Sequence, residues 1–329
     1  MGNVTPMRRD AAPEVEELEL DLLAEALFQR YGYDFRGHER AALRRKLRGV
    51  MQQRSLRTLS ALQGQVLHDP GAASAVLRAL HVPPAAMFDD PEEARLLRQA
   101  AAACLHGAAL PKVWLADCAG AEQAWTLAVL LAEQGLLART ELHCTVASDE
   151  LLTEAQDASI PLERLAECQA SYDRARSGAA ANASGPLGAG TGLGAGPGVD
   201  SSSGPSASVG AGNGAGTGLG AGPGSGRLAD YFQVVGQRAV LLPQLRSRIT
   251  WAQYNLVTDA SFNEFNLIVC RRALPDFGPL LRQRVLQLFH ASLAPFGVLA
   301  LDRQFDESEA LAAFYRPLLP LQPWYKRIA

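Results

Sequence analysis

A run of small and acidic residues, Asp117-Cys118-Ala119-Gly120-Ala121-Glu122, joins a short apolar segment, Val113 to Ala116, to an amphipathic one carrying Trp125, Ala128, Val129 and Ala132. Small residues at a strand-to-helix turn let a ligand come close to the backbone. The free N–H groups that open the following helix favour polar or anionic ligand groups. This is the geometry of a nucleotide site, although Gly120 stands alone where a dinucleotide fingerprint needs three glycines. A second candidate follows the apolar run Glu141 to Ala147, which ends at Ser148-Asp149. A carboxylate just past the end of a second parallel strand can accept hydrogen bonds from a ribose diol. Ser148 or Asp149 would equally cap the next helix, and spacing favours neither role.

Other chemistries have little to build on. The five cysteines, Cys104, Cys118, Cys144, Cys168 and Cys270, are odd in number and far apart, with no C-x-x-C pair. They read as free thiols, not as a disulfide framework or a zinc site, and the six histidines are equally scattered. No metal site is expected. Cys118 has no evident base in the sequence, and its small size is reason enough for its place in the loop. A formal net charge of −3 and a pI near 6.1 give no global field for nucleic acid. No apolar run reaches the length of a membrane span, and the N-terminus lacks a basic region followed by an apolar core. The expectation is a cytoplasmic protein without membrane insertion.

The elements that must position these residues follow from the patterning of 329 residues, 48% of them hydrophobic. Residues 1–13 are polar and read as a disordered N-terminus. Residues 14–90 read as a helical domain. Its first helix, from Glu14, is predicted to present Leu18, Leu22, Ala26 and Leu27 on one face, with Glu16, Glu17, Glu19 and Asp21 in its opening turns. The second, from about Gly37, is the most basic segment, with Arg40, Arg44, Lys46 and Arg48 around Leu43, Leu47 and Met51. A solvated face and a docking face for an acidic partner are both open there. Helices over Leu56 to Leu67 and Gly71 to Leu80 complete the bundle, which Pro83-Pro84 ends.

Residues 91–329 alternate helix and strand, which argues for a mostly parallel sheet flanked by helices. Further strands are predicted over Gln237 to Leu242, Ile249 to Ala252, Phe265 to Cys270 and Gly297 to Leu301, with a helix over Leu280 to Leu293. Leu311 to Ile328 reads as a helix followed by a proline-broken aromatic tail that closes the sheet. Within this domain, residues 178–226 are rich in Gly, Ala and Ser, and GAGTGLGAGPG occurs at both Gly188–Gly198 and Gly214–Gly224. Such a tract cannot recover its ordering entropy and is expected to be a disordered insert.

In their order and spacing these segments resemble the chemotaxis methyltransferases of the CheR type, which transfer a methyl group from S-adenosylmethionine to receptor glutamates. FQRYGYDFRGHERAALRRKLR resembles the family's N-terminal helical domain. VWLADCAGAEQAWTLAVLLAE resembles its first strand and cofactor loop, ASDE its second-strand acid, LADYF the approach to its inserted subdomain, and Asn255-Leu256 its adenine-side loop. FNLIVCRRAL resembles its fourth strand. The similarity runs from about Leu18 to Leu301, apart from the glycine tract.

The resemblance implies a Rossmann-like S-adenosylmethionine-dependent methyltransferase domain preceded by a small all-α domain, with S-adenosylhomocysteine as product. It places Asp117, Cys118, Ala119, Gly120 and Glu122 in the cofactor loop, Asp149 on the ribose, Asn255 and Leu256 beside the adenine, and Arg271 in the family's Cys-Arg-Asn motif. It sets Arg40, Arg44, Arg45 and Arg48 against acidic helices of chemoreceptor cytoplasmic domains, on a protein expected to be a monomer. It assigns no catalytic residue. The departures cluster at the site. Gln123 replaces a glutamate, and Asp89 stands where the family has an arginine. Arg272 stands for an asparagine, Pro275-Asp276-Phe277 for Ile-Tyr-Phe, and Leu301-Asp302-Arg303-Gln304 for Gly-His-Ser-Glu. Two readings therefore stay open: a protein-glutamate O-methyltransferase, and a catalytically impaired relative that binds partners or senses cofactor.

Overall fold

A computed structural model describes residues 14–182, 226–305 and 309–328. The expected disorder of residues 1–13 and of most of the Gly-rich tract lies outside the described residues. The backbone of the tract's first residues is helical, because the helix that precedes it runs to Asn182.

Four helices form the N-terminal unit: α1 (Val15–Tyr31), α2 (Arg40–Gln53), α3 (Leu59–His68) and α4 (Pro70–Leu80). Helix α1 buries Leu20, Leu23, Ala24 and Leu27, a true i, i+3, i+4, i+7 stripe, and leaves Leu18 and Leu22 outside. The predicted face was rotated because the spacing of four from Leu18 to Leu22 to Ala26 drifts across the 3.6-residue turn. Gly32, in the left-handed region at φ 80°, ends α1 and donates its N–H to Phe28 O. Helix α3 starts at Leu59 and not at Leu56, because Thr58 is its N-cap and accepts from Ala61 N at 3.1 Å.

The remainder comprises α5 (Pro91–Leu105), β1 (Lys112–Leu115), α6 (Ala121–Glu133), β2 (Glu141–Val146), α7 (Asp149–Gln156), β3 (Ile160–Pro161), α8 (Leu162–Asn182), β4 (Phe232–Val235), β5 (Arg238–Leu241), α9 (Pro243–Arg246), β6 (Ile249–Gln253), β7 (Phe265–Cys270), α10 (Pro279–Ser292), β8 (Leu293–Leu301), β9 (Tyr315–Pro317) and β10 (Trp324–Arg327). Seven strands form one sheet in the order β6-β2-β1-β7-β8-β10-β9. The first five run parallel, and β10 is antiparallel to both its neighbours. Strands β3, β5 and β4 make a separate antiparallel sheet. The predicted helix after Leu311 is only a 3-10 turn over Ala310–Phe314, followed by the β9-β10 hairpin. Pro317, Pro320 and Pro323 deny that stretch the N–H groups a helix would need.

Both faces of the sheet are buried, so its strands are continuous apolar runs whose alternate residues serve opposite layers. Val113, Leu115, Leu267 and Val269 pack with α5 and α6. Trp114, Ala116, Ile268 and Cys270 pack with α10. The chain leaves β1 for β2 and β6 on one side and returns for β7 and β8 on the other. The carboxyl end of β1 is thus a topological switch point, where open α/β sheets form their ligand crevice.

The helical unit is fastened at this end. His38 bridges Phe277, Glu39 N donates to Asp276 O at 2.8 Å, and Gly278 N donates to Gly37 O at 3.0 Å. A Cβ on Gly278 would lie 2.8 Å from Gly37 O, so glycine is what allows the two backbones to approach. Residues Tyr33 to His38 are thereby held over the crevice.

Candidate functional site

The turn after β1 is clamped by both neighbouring strands. Ala116 N donates to Val269 O at 2.9 Å and Cys118 N to Thr145 O at 2.7 Å. Between them Asp117 adopts φ 49°, a left-handed conformation that Asp tolerates better than most residues. Gly120, at φ 91°, has no atom within 4 Å of where a Cβ would stand, so open space lies over the loop just before α6 begins. Glu122, in the first turn of α6, accepts from Met87 N at 3.0 Å and from Arg164 Nε at 2.9 Å.

Two cavities flank this loop. One, of about 50 Å³, is lined by Asp117, Tyr254, Asn255 and Leu256 from the sheet, and by Tyr33, His38 and His81 from the helical unit. The other, of about 150 Å³, is lined by Cys118, Ala119, Gly120 and Glu122 together with Glu154 and Ser159. Val82 lines both. Asn255 Oδ1 accepts from Val257 N at 2.8 Å, and its own N–H donates to Asp259 at 2.9 Å, which fixes the turn after β6. Ser148 is the N-cap of α7 and accepts from Leu151 N, so Asp149 is left as an exposed carboxylate in the first turn. It lies near the cavity that Tyr33 lines: burial first, and then the charges of Asp149 and Glu150, push the Tyr33 phenol up.

Arg271 points elsewhere. Its Nε donates to Leu301 O at 3.1 Å, its Nη1 lies 3.4 Å from Glu93, and its guanidinium stands over the Trp324 ring. It lines neither cavity. Arg272 Nη2 donates to both oxygens of Asp89 at 2.8 Å and lies 3.9 Å from Glu93, whose carboxyl is pushed up by burial. The two departures of opposite charge are therefore partners. A carboxylate in an arginine's place and an arginine in an asparagine's place is the signal from which this contact was legible.

The electrostatics centre on Lys46, a residue of the basic helix that faces inward. It ion-pairs with Asp276 and also donates to Leu80 O at 2.9 Å and His81 O at 3.2 Å. Its three donors are used. Burial pushes Asp117 up to about 7, only partly offset by Lys46 and reinforced by Asp276. Burial also pushes His38 and His81 down to about 4, so both are neutral in the neutral range. Nothing in the sequence brought Tyr33, His38 or His81 to this site; they arrive by domain packing, beside Asp276, one of the departures from the family pattern.

The arginines of α2 lie on the outside. Arg40 pairs with Asp21 and Arg44 with Glu17, while Arg48 lies 3.9 Å from Glu16 and Arg45 3.8 Å from Asp276. The side chains of Arg45 and Arg48 remain 71% and 65% exposed, so their pairs are weak and screened. Among the described residues no group of three or more His, Cys, Asp or Glu side chains could hold a metal ion, and no helix is long and apolar enough to cross a membrane.

The chain is similar to several known proteins. Residues 18–81 match the family model described as CheR methyltransferase, all-alpha domain. The "Putative methyltransferase Cher3" of Pseudomonas putida is 28% identical over 314 residues, covering 94% of this chain and 97% of that protein. An uncharacterized 104.1 kDa protein in the hypE 3' region of Rhodobacter capsulatus is 29% identical over 102 residues, which are 29% of this chain and 11% of that protein. Among solved structures, the glycopeptide N-methyltransferase MtfA complexed with sinefungin aligns over 78% of this chain and 68% of its own, with 15% identity and a TM-score of 0.28.

Proposed function

We propose, from the premise that this chain is a divergent member of the CheR-type methyltransferase family, that it binds S-adenosylmethionine at the switch-point crevice and methylates glutamates on acidic helices of chemoreceptors. The observation that carries the reading is convergence: Asp117 and the Asn255-Leu256 pair, far apart in sequence, line one cavity at the carboxyl end of β1, and the charge of Asp149 reaches Tyr33, which lines it too. The residues fit the cofactor's nucleoside half. Gly120 leaves its side of the loop open, Asp149 is free of capping duty, and half-buried Asn255 and buried Leu256 form a turn beside the cavity. Val82 lines both cavities that flank the loop.

When bound, the cofactor supplies a methyl group already activated by its sulfonium. A glutamate acceptor is ionised near neutral pH and needs no base. What remains for the protein is alignment of the acceptor oxygen with that methyl and exclusion of water. The helical unit serves the second purpose here, since Tyr33 to His38 cover the crevice. The exposed Arg45 and Arg48 of α2 suit an acidic partner helix, and they lie on the unit that covers the cavity.

The Asp89–Arg272 pair favours a second reading, in which the protein binds the nucleoside but turns over slowly or not at all. It occupies the positions where the family resemblance puts the methionine end, and the cavity beside it is only about 20 Å³. Transfer of labelled methyl from S-adenosylmethionine to receptor cytoplasmic domains separates the two readings. Label released as methanol by base, as a glutamyl ester requires, supports the enzyme. Cofactor binding without incorporated label leaves the sensing reading.

A further inference from the structure

The cavity at the switch point contains a group that its surroundings do not account for. The Asp117 carboxylate faces the cavity with no hydrogen-bond or ion-pair partner among the described residues, although its backbone is pinned beside Thr145. The charges around it are committed elsewhere. Lys46 is shared among Asp276, Leu80 O and His81 O, and Asp276 faces Lys46 and Arg45. His38 and His81 are neutral at the pH of interest. A partly buried carboxylate at a cavity wall with no cation beside it is costly to ionise, and a left-handed turn keeps this one at the cavity.

We infer that Asp117 makes this pocket selective for a cationic nucleoside, so that the sulfonium S-adenosylmethionine binds in preference to the neutral thioether S-adenosylhomocysteine. The inference rests on the reading that the cavity takes this cofactor. It gives the protein a means of releasing product, or of reporting the methylated form of the ligand, that a small residue at position 117 would not provide. The selectivity carries a proton signature. With its carboxyl pushed up to about 7, Asp117 is partly protonated in the neutral range, and a cation entering the cavity expels that proton. Among the groups facing it, His38 and His81 have lost their protons by pH 6, and Tyr33 and Cys270 are pushed up out of the range. Lys46 and Asp276 face it as an ion pair.

The test is titration calorimetry of the full chain with S-adenosylmethionine, S-adenosylhomocysteine and sinefungin, whose protonated amine replaces the sulfonium. Each titration is run at pH 6 and pH 8, in buffers of different ionisation enthalpy. The wild type should prefer the two cationic ligands to the thioether by at least about tenfold at pH 8, which is about 1.4 kcal/mol. That preference should fall about tenfold at pH 6, with proton release on binding near pH 7. Asp117→Asn should bind the thioether as before and lose both the preference and the proton release; Asp117→Ala provides a second variant of smaller size. A preference that survives in both variants, or equal binding of all three ligands by the wild type, overturns the charge selectivity and leaves the pocket reading standing. Absence of binding by all three overturns both.

Discussion

Lys46→Met is expected to destabilise the protein by about 3 kcal/mol, because it leaves the buried carboxylate of Asp276 only the exposed Arg45, 3.8 Å away. Both side chains of the pair are more than four-fifths buried, so solvent offers the remaining charge little relief. The same substitution removes two donors from the carbonyls of Leu80 and His81, at the C-terminal end of α4, where a cation also complements the helix dipole. The pair joins the helical unit to the sheet, so its loss acts on the crevice that the unit covers as well as on global stability. Urea denaturation measures the first effect. The second should appear as faster proteolysis in the segment from Gly32 to Glu39. Pairing the change with Asp276→Leu should recover part of the stability and not all of it, because the α4 carbonyls stay uncapped. Stability unchanged by Lys46→Met would show that the ion pair is not the fastening described.

Trp114→Ala is expected to cost about 3–5 kcal/mol, the range for a large aromatic removed from a packed core. Trp114 is fully buried on β1 and meets the rings of Tyr254, Phe262, Phe265 and Phe289 at centroid distances between 5.1 and 5.4 Å. Its Nε1–H donates to Thr145 Oγ1 at 2.9 Å, so truncation also takes a donor from a buried hydroxyl. The consequence reaches the site by a short route. Thr145 O accepts from Cys118 N and so holds the loop after β1, and Tyr254 lines the cavity of Asp117. Trp114→Ala should therefore weaken ligand binding in the fraction that remains folded, whereas Trp114→Phe should retain most of both properties. A melting temperature within a degree or two of wild type for Trp114→Ala would contradict this packing account.

Much of the frame was legible because local signals agreed. The apolar runs Val113 to Ala116, Glu141 to Ala147 and Phe265 to Cys270 became β1, β2 and β7 with ends shifted by a residue at most, as expected where both faces of a strand are buried and no alternation competes. Helix faces and the C-terminal segment were less legible. On α1 a run of leucines at several spacings allowed two stripes, and tertiary packing chose the one through Leu20, Leu23 and Leu27. After Leu311 the apolar residues resembled a helix until the prolines decided otherwise.

At the candidate site, spacing predicted the strand-turn-helix unit in which Asp117 to Glu122 lie between β1 and α6. Those supplied by domain docking were not, because nothing local in Tyr33, His38 or Lys46 says that it will meet Asp276 across the whole chain. The family pattern placed Arg271 at the cofactor, whereas its side chain reaches toward Glu93, Leu301 O and Trp324. Beside it, Arg272 occupies the third position of that motif, where it needs a carboxylate, and Asp89 provides one.

The central claim is that the crevice at the carboxyl end of β1 binds S-adenosylmethionine, and the most direct measurement is titration calorimetry of the purified full chain with that cofactor at pH 8. Micromolar binding, weakened about tenfold or more in Asp149→Ala through loss of ribose hydrogen bonds to a charged acceptor, is the predicted result. No detectable heat at millimolar cofactor, or binding indifferent to Asp149→Ala and to Asn255→Ala alike, would contradict it.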